Sequence, residues 1–295
     1  MSFLHKHLGK GVRVLNEAPE LGLFALFKPS GSVSHRDTAS STAKCLIDAP
    51  YSMQDESFLT RDGPIYLLHR LDRETSGVVL VATDPIVAAG VREAFRTRHI
   101  TKIYKALAFG TYSESVQLPI LWADRYVAPG YAGARVPRVF PSAADGGPPS
   151  GAHKGKKHGV GGTAAAAAQD SRQAETIVIS AEKKWLALDP AAGSGSSRTP
   201  ATLFTLSPQT GFTHQLRLVL QARGHPVVGD SIYGNFALHK HLLSGRPSRM
   251  FLHALAVEAF FSAGGQLHSF VASTEELDEH LEEGWRAALR GAVLE

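Results

Sequence analysis

The sequence predicts an α+β protein with a mixed, largely antiparallel sheet and few helices. Short apolar runs rich in β-branched and aromatic residues recur along the chain, and turn-forming residues bound them. Amphipathic helices are few and alternate irregularly with these runs, which disfavours a doubly wound parallel sheet. The chain of 295 residues is 43% hydrophobic and 20% charged, so it has ample material for a core.

The predicted strands are short and spread over the whole chain. They are expected over residues 21–27, 65–68, 78–82, 102–109, 175–179 and 203–206, with further strands or turns at 227–230 and 251–261. Three helices are predicted between or after them. The first begins with Asp84 as N-cap and Pro85 at its first position, the second spans 213–224, and the third forms the C-terminal segment 271–295.

One domain is predicted over residues 17–270. Residues 1–16 are basic and contain no acid, and they are interpreted as a basic tail, with an organellar presequence as the open alternative. Residues 141–171 are rich in Gly, Pro, Ser and Ala and cannot bury enough apolar surface to order themselves, so they predict a disordered insertion in a surface loop.

Composition also restricts the classes of function. Cys45 is the only cysteine, which excludes an internal disulfide and a cysteine-based metal cluster and indicates a reducing intracellular compartment, cytoplasm or mitochondrion. No apolar run approaches the length of a membrane helix, so no membrane partner is expected. The net charge of +4 permits a polyanionic partner. No metal site is expected, because no metal-ligand spacing is present.

The most unusual stretch is His69–Gly77, which places five ionisable residues in a turn between two predicted strands. Loops held by rigid elements are common places for chemistry. The alternative is that Asp72 and Ser76 only stabilise the turn, a frequent role for both residue types. The stretch alone leaves both interpretations open.

Seven motifs, in order, resemble those of the RluA-type family of RNA pseudouridine synthases. They are Lys28–Gly31, His69–Gly77, Lys102–Ala106, Ala174–Thr176, Thr210–Arg217, Gly224–Gly234 and Leu252–Ala254. The resemblance implies a pseudouridine synthase-like fold, with a central mixed, mostly antiparallel sheet and flanking helices. It also implies isomerisation of uridine to pseudouridine in structured RNA, ribosomal or transfer, without a cofactor.

The resemblance further implies roles for individual residues. Asp72 would be the catalytic carboxylate, Tyr104 would stack on the target base and take part in proton handling, and Arg217 would pair with Asp72. Arg70 would fill the gap left by the flipped nucleotide, and Leu216 would pack in the pocket. His69 and Thr75 are the remaining candidate substrate-binding residues, and Arg96, Arg98, Lys102 and Lys105 are expected to contact RNA phosphates.

Two positions depart from the family pattern. Phe212 stands where the family normally has arginine, and Val219 stands where it usually has histidine. They leave an alternative open, in which the chain is a weakly active or inactive RNA-binding factor for ribosome assembly. A monomer is expected.

Overall fold

The computed structural model describes residues 3–36, 41–129, 136–142, 171–188, 198–242, 249–274, 285 and 292–294. The strands are β1 (Arg13–Ala18), β2 (Leu23–Lys28), β3 (Tyr51–Ser52), β4 (Ser57–Thr60), β5 (Gly63–Leu67), β6 (Ser76–Ala82), β7 (Ile100–Phe109), β8 (Ile120–Val127), β9 (Arg138–Phe140), β10 (Arg172–Leu188), β11 (Arg198–Pro208), β12 (Leu252–Ala263), β13 (Gln266–Ser273) and β14 (Ala292–Leu294). The α-helices are α1 (Pro85–Arg96), α2 (Gln215–Ala222) and α3 (Phe236–Leu242), and short 3-10 turns lie at Phe3–His7 and Pro19–Leu21.

The predicted α+β class with a mixed, mostly antiparallel sheet is confirmed. Neighbouring strands such as β2 and β6, β8 and β10, and β10 and β11 run antiparallel, whereas β6 and β12 run parallel. Residue contacts divide the chain into two compact units. Unit 1 comprises Met1–Lys105 and Leu252–Ala287, and unit 2 comprises Ala106–Phe251 and Ala288–Glu295. The single domain predicted over 17–270 stays a prediction.

Strand β6 lies in the middle of unit 1, with β5, β2 and β12 as its neighbours. All seven of its residues are buried. Because successive side chains of a strand point to opposite faces, Val78 and Leu80 join a core that includes α1, whereas Val79 and Val81 join a second core with Phe58. A strand that is covered on both faces gives rigid support to the loop that precedes it.

Helix α1 begins as the sequence predicts. The Asp84 side chain accepts hydrogen bonds from the backbone N–H groups of Ile86 and Val87, at 2.8 and 2.9 Å, and Pro85 occupies the first helical position. These contacts satisfy donors that have no partner inside the helix. The buried side chains of α1, among them Val87 and Val91, then pack on the β6 side of unit 1.

In unit 2, strands β11, β10, β8 and β9 lie side by side in this order, and β14 pairs with β10. Trp122 and Phe204, both fully buried, are large core side chains of this unit. Helix α2 is short, and every residue from Gln215 to Leu220 is buried. A helix that is covered on all sides requires its polar residues to find partners inside the protein.

The basic segment 1–16 is not a tail in its described part, which corrects the prediction. Leu4 is fully buried with Leu46 and Ile47 in one core cluster, and Arg13 begins strand β1. The backbone N–H of Gly9 donates to the carbonyl of Leu46 at 3.0 Å. The apolar residues between the basic ones anchor this segment, and a count of charges does not detect them.

The predicted helix over 271–295 is wrong at both of its ends. Residues up to Ser273 belong to β13, which forms an antiparallel hairpin with β12, and Ala292–Leu294 form β14. Residues 271–273 continue the strand because they pair with Ala256–Glu258 of β12. Trp285 is helical and buried, and the other residues of 275–291 lie outside the described residues, as does 143–170 of the predicted insertion at 141–171.

Within the part of the chain that the structure describes, the helices are all too short or too polar to span a lipid bilayer.

Replacing Gly77 with alanine is expected to lower the free energy of unfolding by about 2–4 kcal/mol. Gly77 has a φ of +121°, which L-residues rarely adopt, and an added Cβ would lie 2.1 Å from the carbonyl oxygen of Ala254. Gly63 is a matched control, because its φ of +123° is nearly the same but nothing lies within 4 Å of its Cβ position. Gly63→Ala should lower the free energy of unfolding by only about 1–2 kcal/mol. Urea unfolding measures the free energy of unfolding of both variants. Equal decreases would show that the approach of β12 to Gly77 does not constrain this position.

Candidate active site

The segment His69–Gly77, which consists of most of the loop between β5 and β6 and the first two residues of β6, is called the motif loop below. The turn at Lys28–Gly31, which follows β2, holds its middle. The Gly31 N–H donates to the carbonyl of Arg73 at 2.8 Å, and the Ser30 hydroxyl donates to the carbonyl of Glu74 at 2.6 Å. The Lys28 ammonium, fully buried, donates to the Arg73 carbonyl at 3.2 Å. The motif loop is therefore fixed through its backbone.

The end of the motif loop is fixed from β12. The Ser76 hydroxyl lies 2.7 Å from Nδ1 of His253, and Nε2 of His253 lies 2.8 Å from the hydroxyl of Thr274. All three side chains are buried. His253 is paired with Ser76 in the parallel register of β6 and β12. This buried chain of hydrogen bonds connects the motif loop to a second strand of unit 1.

Asp72 and Tyr104 interact electrostatically in unit 1. Asp72 is half-buried in the motif loop, where its carbonyl accepts a hydrogen bond from the Thr75 N–H at 3.1 Å. Burial, and then the negative charge of Asp72, raise the pKa of Tyr104 well above its usual range. The Tyr104 hydroxyl therefore keeps its proton at neutral pH. A carboxylate beside a neutral phenol is suited to acid–base or nucleophilic work with an aromatic ring held nearby.

His69 is a neutral histidine inside unit 1. Burial, with a smaller effect from the charge of Lys102, lowers the pKa of His69 to about 3. Its Nε2 accepts a hydrogen bond from the N–H of Leu80 at 3.0 Å, and its ring packs against Phe95 at 4.8 Å between centroids. These contacts give His69 a part in shaping the motif loop, and its contact with substrate stays a prediction.

Arg70 and Thr75 lie in different environments. Arg70 is exposed, and its Nη1 lies 3.1 Å from Nε2 of His35. Thr75 is only 2% exposed, and its hydroxyl has no hydrogen-bond partner among the described residues. The structure thus places Arg70 where RNA could reach it and Thr75 in the interior. The substrate contacts expected of both residues stay predictions.

The four candidate phosphate-binding cations also differ in exposure. Arg96 and Arg98 are exposed, and Arg96 pairs with Glu93 one turn earlier on α1 at 2.7 Å from Nε. Lys102 is partly buried, and burial, with a smaller effect from Arg98, lowers the pKa of the Lys102 ammonium to about 8. Lys105 is also partly buried. Exposure therefore favours the two arginines for phosphate contacts, which stay predictions for all four.

Arg217 lies in the interior of unit 2. Its side chain is 3% exposed, and the fully buried Asp230 accepts hydrogen bonds from Nε at 2.7 Å and from Nη2 at 2.8 Å. Burial alone would raise the pKa of Asp230, but the hydrogen bonds and charge of Arg217 hold it below its usual range. The predicted pairing of Arg217 with Asp72, which belongs to unit 1, stays a prediction.

Phe212 finds an apolar partner in unit 2. Its ring stacks on Tyr126 with 4.6 Å between centroids and 14° between planes. The Tyr126 hydroxyl donates to the carbonyl of Thr213 at 3.4 Å. Leu216, the candidate pocket residue, is 6% exposed on α2. The departure at Phe212 is thus accommodated by aromatic stacking and leaves Arg217 paired with Asp230.

Two residues that contact candidate site residues, Asp230 and His35, have contacts that the sequence does not reveal. Asp230 holds Arg217, and its Oδ1 also accepts hydrogen bonds from the N–H groups of Ile232 and Tyr233, at 2.8 and 2.9 Å. An aspartate that begins a turn is a recognisable local signal, but its ion pair is not. His35 contacts Arg70, and no local pattern indicates this. Among the described residues, no group of three or more His, Cys, Asp or Glu side chains is arranged to hold a metal ion.

A sequence model of the family described as RNA pseudouridylate synthase matches residues 22–222, and the chain belongs to this family. Within the family it is of the RluA type, as its curated relatives indicate.

Two relatives are ribosomal large subunit pseudouridine synthases C. The chain is 27% identical over 259 residues to that of Escherichia coli (strain K12), covering 86% of the chain and 64% of the relative. It is 26% identical over 253 residues to that of Haemophilus influenzae, covering 86% of the chain and 63% of the relative. The chain therefore spans just under two thirds of the length of these relatives.

Two solved human structures share the fold. Human RNA pseudouridylate synthase domain containing 1 superposes with a TM-score of 0.56 at 20% identity, covering 92% of this chain and 95% of that chain. Human RNA pseudouridylate synthase domain containing 4 gives a TM-score of 0.56 at 21% identity, covering 99% and 95%. At such identities the likeness shows the fold alone.

Proposed function

We propose that this protein is an RNA pseudouridine synthase that isomerises uridine to pseudouridine in structured RNA, with Asp72 as its catalytic carboxylate. The observation that carries the proposal is the environment of Asp72. The residue lies half-buried beside a protonated Tyr104, in a loop whose backbone is tied to the Lys28–Gly31 turn. Membership of the RNA pseudouridylate synthase family supports it.

The reaction breaks the bond between C1′ of the ribose and N1 of uracil. The uracil rotates, C5 bonds to C1′ and loses its proton, and N1 takes up a proton, so that atoms balance without an external reactant. Asp72 supplies an ionised carboxylate for nucleophilic or acid–base work at the sugar. Tyr104 supplies a ring on which the uracil stacks and a hydroxyl that keeps its proton. No step requires a cofactor.

We propose ribosomal RNA of the large subunit as the substrate, free or in an assembly intermediate, with transfer RNA as the second choice. The names of the relatives support the first choice. A uridine inside a helix is out of reach of a side chain, so the nucleotide must flip out at a cost of roughly a few kcal/mol. Arg70 is exposed next but one to Asp72 and is the residue that would fill the gap. Arg96 and Arg98 would hold phosphates, and Arg217 would pair with Asp72.

The compartment proposed is a reducing one, cytoplasm or mitochondrion, which suits the single buried Cys45.

Mapping of pseudouridines in cells with and without the protein tests the proposal. Carbodiimide labelling followed by primer extension should show one or a few uridines of large-subunit RNA that lose the modification when the protein is removed. Wild-type protein should restore them, and Asp72→Asn should not. Unchanged modification together with defective ribosomes would contradict the proposal and favour an assembly factor without catalysis.

A further inference from the structure

The segment 33–35 is hydrogen-bonded to the motif loop next to Arg70. The Ser34 hydroxyl accepts a hydrogen bond from the N–H of Leu71 at 3.1 Å and donates one to the carbonyl of the same residue at 3.0 Å. Val33 is fixed in turn, because its N–H donates to the carbonyl of Lys44 at 2.8 Å and its carbonyl accepts from the N–H of Leu46 at 3.0 Å. These hydrogen bonds place the residue that follows Ser34 next to Arg70.

That residue is His35, and a stack of aromatic rings supports it. The rings of His35 and Tyr51 are 4.4 Å apart and nearly parallel, with 12° between their planes. Tyr51 in turn lies edge-on to Phe58 at 5.0 Å, and Phe58 is fully buried in the core of unit 1. His35 is itself 8% exposed. The stack thus extends from the core to the exposed guanidinium of Arg70.

The contact between His35 and Arg70 determines which nitrogen of the ring carries the proton. An arginine only donates hydrogen bonds, so Nε2 of His35, which lies 3.1 Å from Nη1 of Arg70, must accept with its lone pair. The proton of the neutral ring is then on Nδ1, which lies 3.4 Å from the carbonyl of Arg36. A neutral ring in this tautomer attracts the guanidinium, whereas a doubly protonated ring would repel it.

We propose that His35, supported by Tyr51, is a positioning residue that holds the Arg70 guanidinium in place for its contact with RNA. The inference rests on the proposed function and adds a residue to it. An exposed arginine samples many rotamers, and ordering it on binding weakens affinity. The Ser34 hydrogen bonds and the Tyr51 stack supply this order before RNA arrives. His35 therefore acts through Arg70.

A double-mutant cycle tests whether His35 acts through Arg70. His35→Ala, Arg70→Ala and the double variant are assayed with unmodified large-subunit ribosomal RNA transcribed in vitro, for kcat, KM and the Kd of the RNA. His35→Ala should raise KM and Kd about fivefold to tenfold, with kcat nearly unchanged. In the Arg70→Ala background the same change should have no further effect. If the fold increases in KM and Kd of the two single variants multiply in the double variant, the proposal is overturned.

Two further variants separate positioning from a loss of structure. His35→Gln places an acceptor oxygen near the position of Nε2 and should restore most of the affinity, which a purely structural defect would not allow. His268→Ala is a matched control. His268 pairs with Phe261 near the turn of the β12–β13 hairpin, whereas the motif loop contacts the other end of β12, where Ser76 pairs with His253. It should leave KM and Kd unchanged. A His35→Gln variant as weak as His35→Ala would overturn the proposal.

The RNA-free protein provides a readout that does not depend on the reaction. Nitrogen-15 spectra of the histidine rings should show Nε2 of His35 without a proton in the wild type, and Arg70→Ala should shift that signal. A protonated Nε2 in the wild type would overturn the inference. If the wild type forms no pseudouridine while this signal and the coupling in Kd are present, the proposed reaction fails and the positioning of Arg70 stands.

Discussion

Replacing Asp72 with asparagine is expected to lower kcat for pseudouridine formation by about ten-thousandfold or more, the scale of losing a central catalytic side chain. Asparagine keeps the size of the side chain but removes the charge that the reaction at the sugar requires. The motif loop is tied through backbone carbonyls at Arg73 and Glu74, so the fold should not change. Rates are measured on unmodified large-subunit ribosomal RNA, with melting temperature and RNA affinity recorded in parallel.

Glu74→Gln is the matched control for Asp72→Asn. It removes a second carboxylate from the same motif loop, and the bond from Ser30 to Glu74 uses the backbone carbonyl, which the substitution keeps. Its rate should stay within about threefold of the wild type, as expected when a side chain makes no contact that is specific to the transition state. An Asp72→Asn variant that retains the wild-type rate would exclude Asp72 as the catalytic group.

Replacing Asp230 with alanine is expected to lower the free energy of unfolding by about 3–5 kcal/mol, because it leaves a buried arginine without its partner. Asp230 is fully buried and accepts two hydrogen bonds from the Arg217 guanidinium, at 2.7 and 2.8 Å. It also accepts from two backbone N–H groups, which would lose their partner. Urea unfolding of wild type and variant measures the difference.

Asp48→Ala provides the comparison for Asp230→Ala. Asp48 accepts a hydrogen bond from Arg36 at 2.9 Å, but its side chain is 69% exposed. An exposed ion pair contributes at most about 1 kcal/mol, because water and salt screen it. If the two substitutions cost the same, the burial of the Arg217–Asp230 pair has no energetic consequence, and the account of unit 2 is wrong.

The parts of the fold near the motif loop follow from local signals in the sequence. Strand β6 is a short, bounded apolar run, and α1 begins with an aspartate and a proline in the positions that capping rules favour. These signals lie within a few residues of one another, so they can be recognised in the sequence. The location of Asp72 between two strands and of Tyr104 on β7 follows from the same signals.

The long-range side-chain contacts do not follow from the sequence. Arg217 is buried on α2, and its partner there is Asp230, which is 13 residues away. His35 reaches Arg70 across 35 positions because Ser34 is fastened to Leu71. The C-terminal segment shows a related effect, since residues 271–273 pair with β12 instead of beginning the predicted helix. In each of these three cases, partners that are distant in the sequence determine the local structure.

The most direct test of the central claim uses the purified protein and one RNA. Unmodified large-subunit ribosomal RNA, transcribed in vitro, is incubated with wild type or Asp72→Asn, digested to nucleosides and separated by chromatography to count pseudouridine. The wild type should form pseudouridine at one or a few discrete uridines, and Asp72→Asn should bind the RNA equally well but form none. Tight binding of the RNA by both proteins without any pseudouridine, or equal amounts from both, would contradict the assignment of Asp72 as the catalytic carboxylate of a pseudouridine synthase.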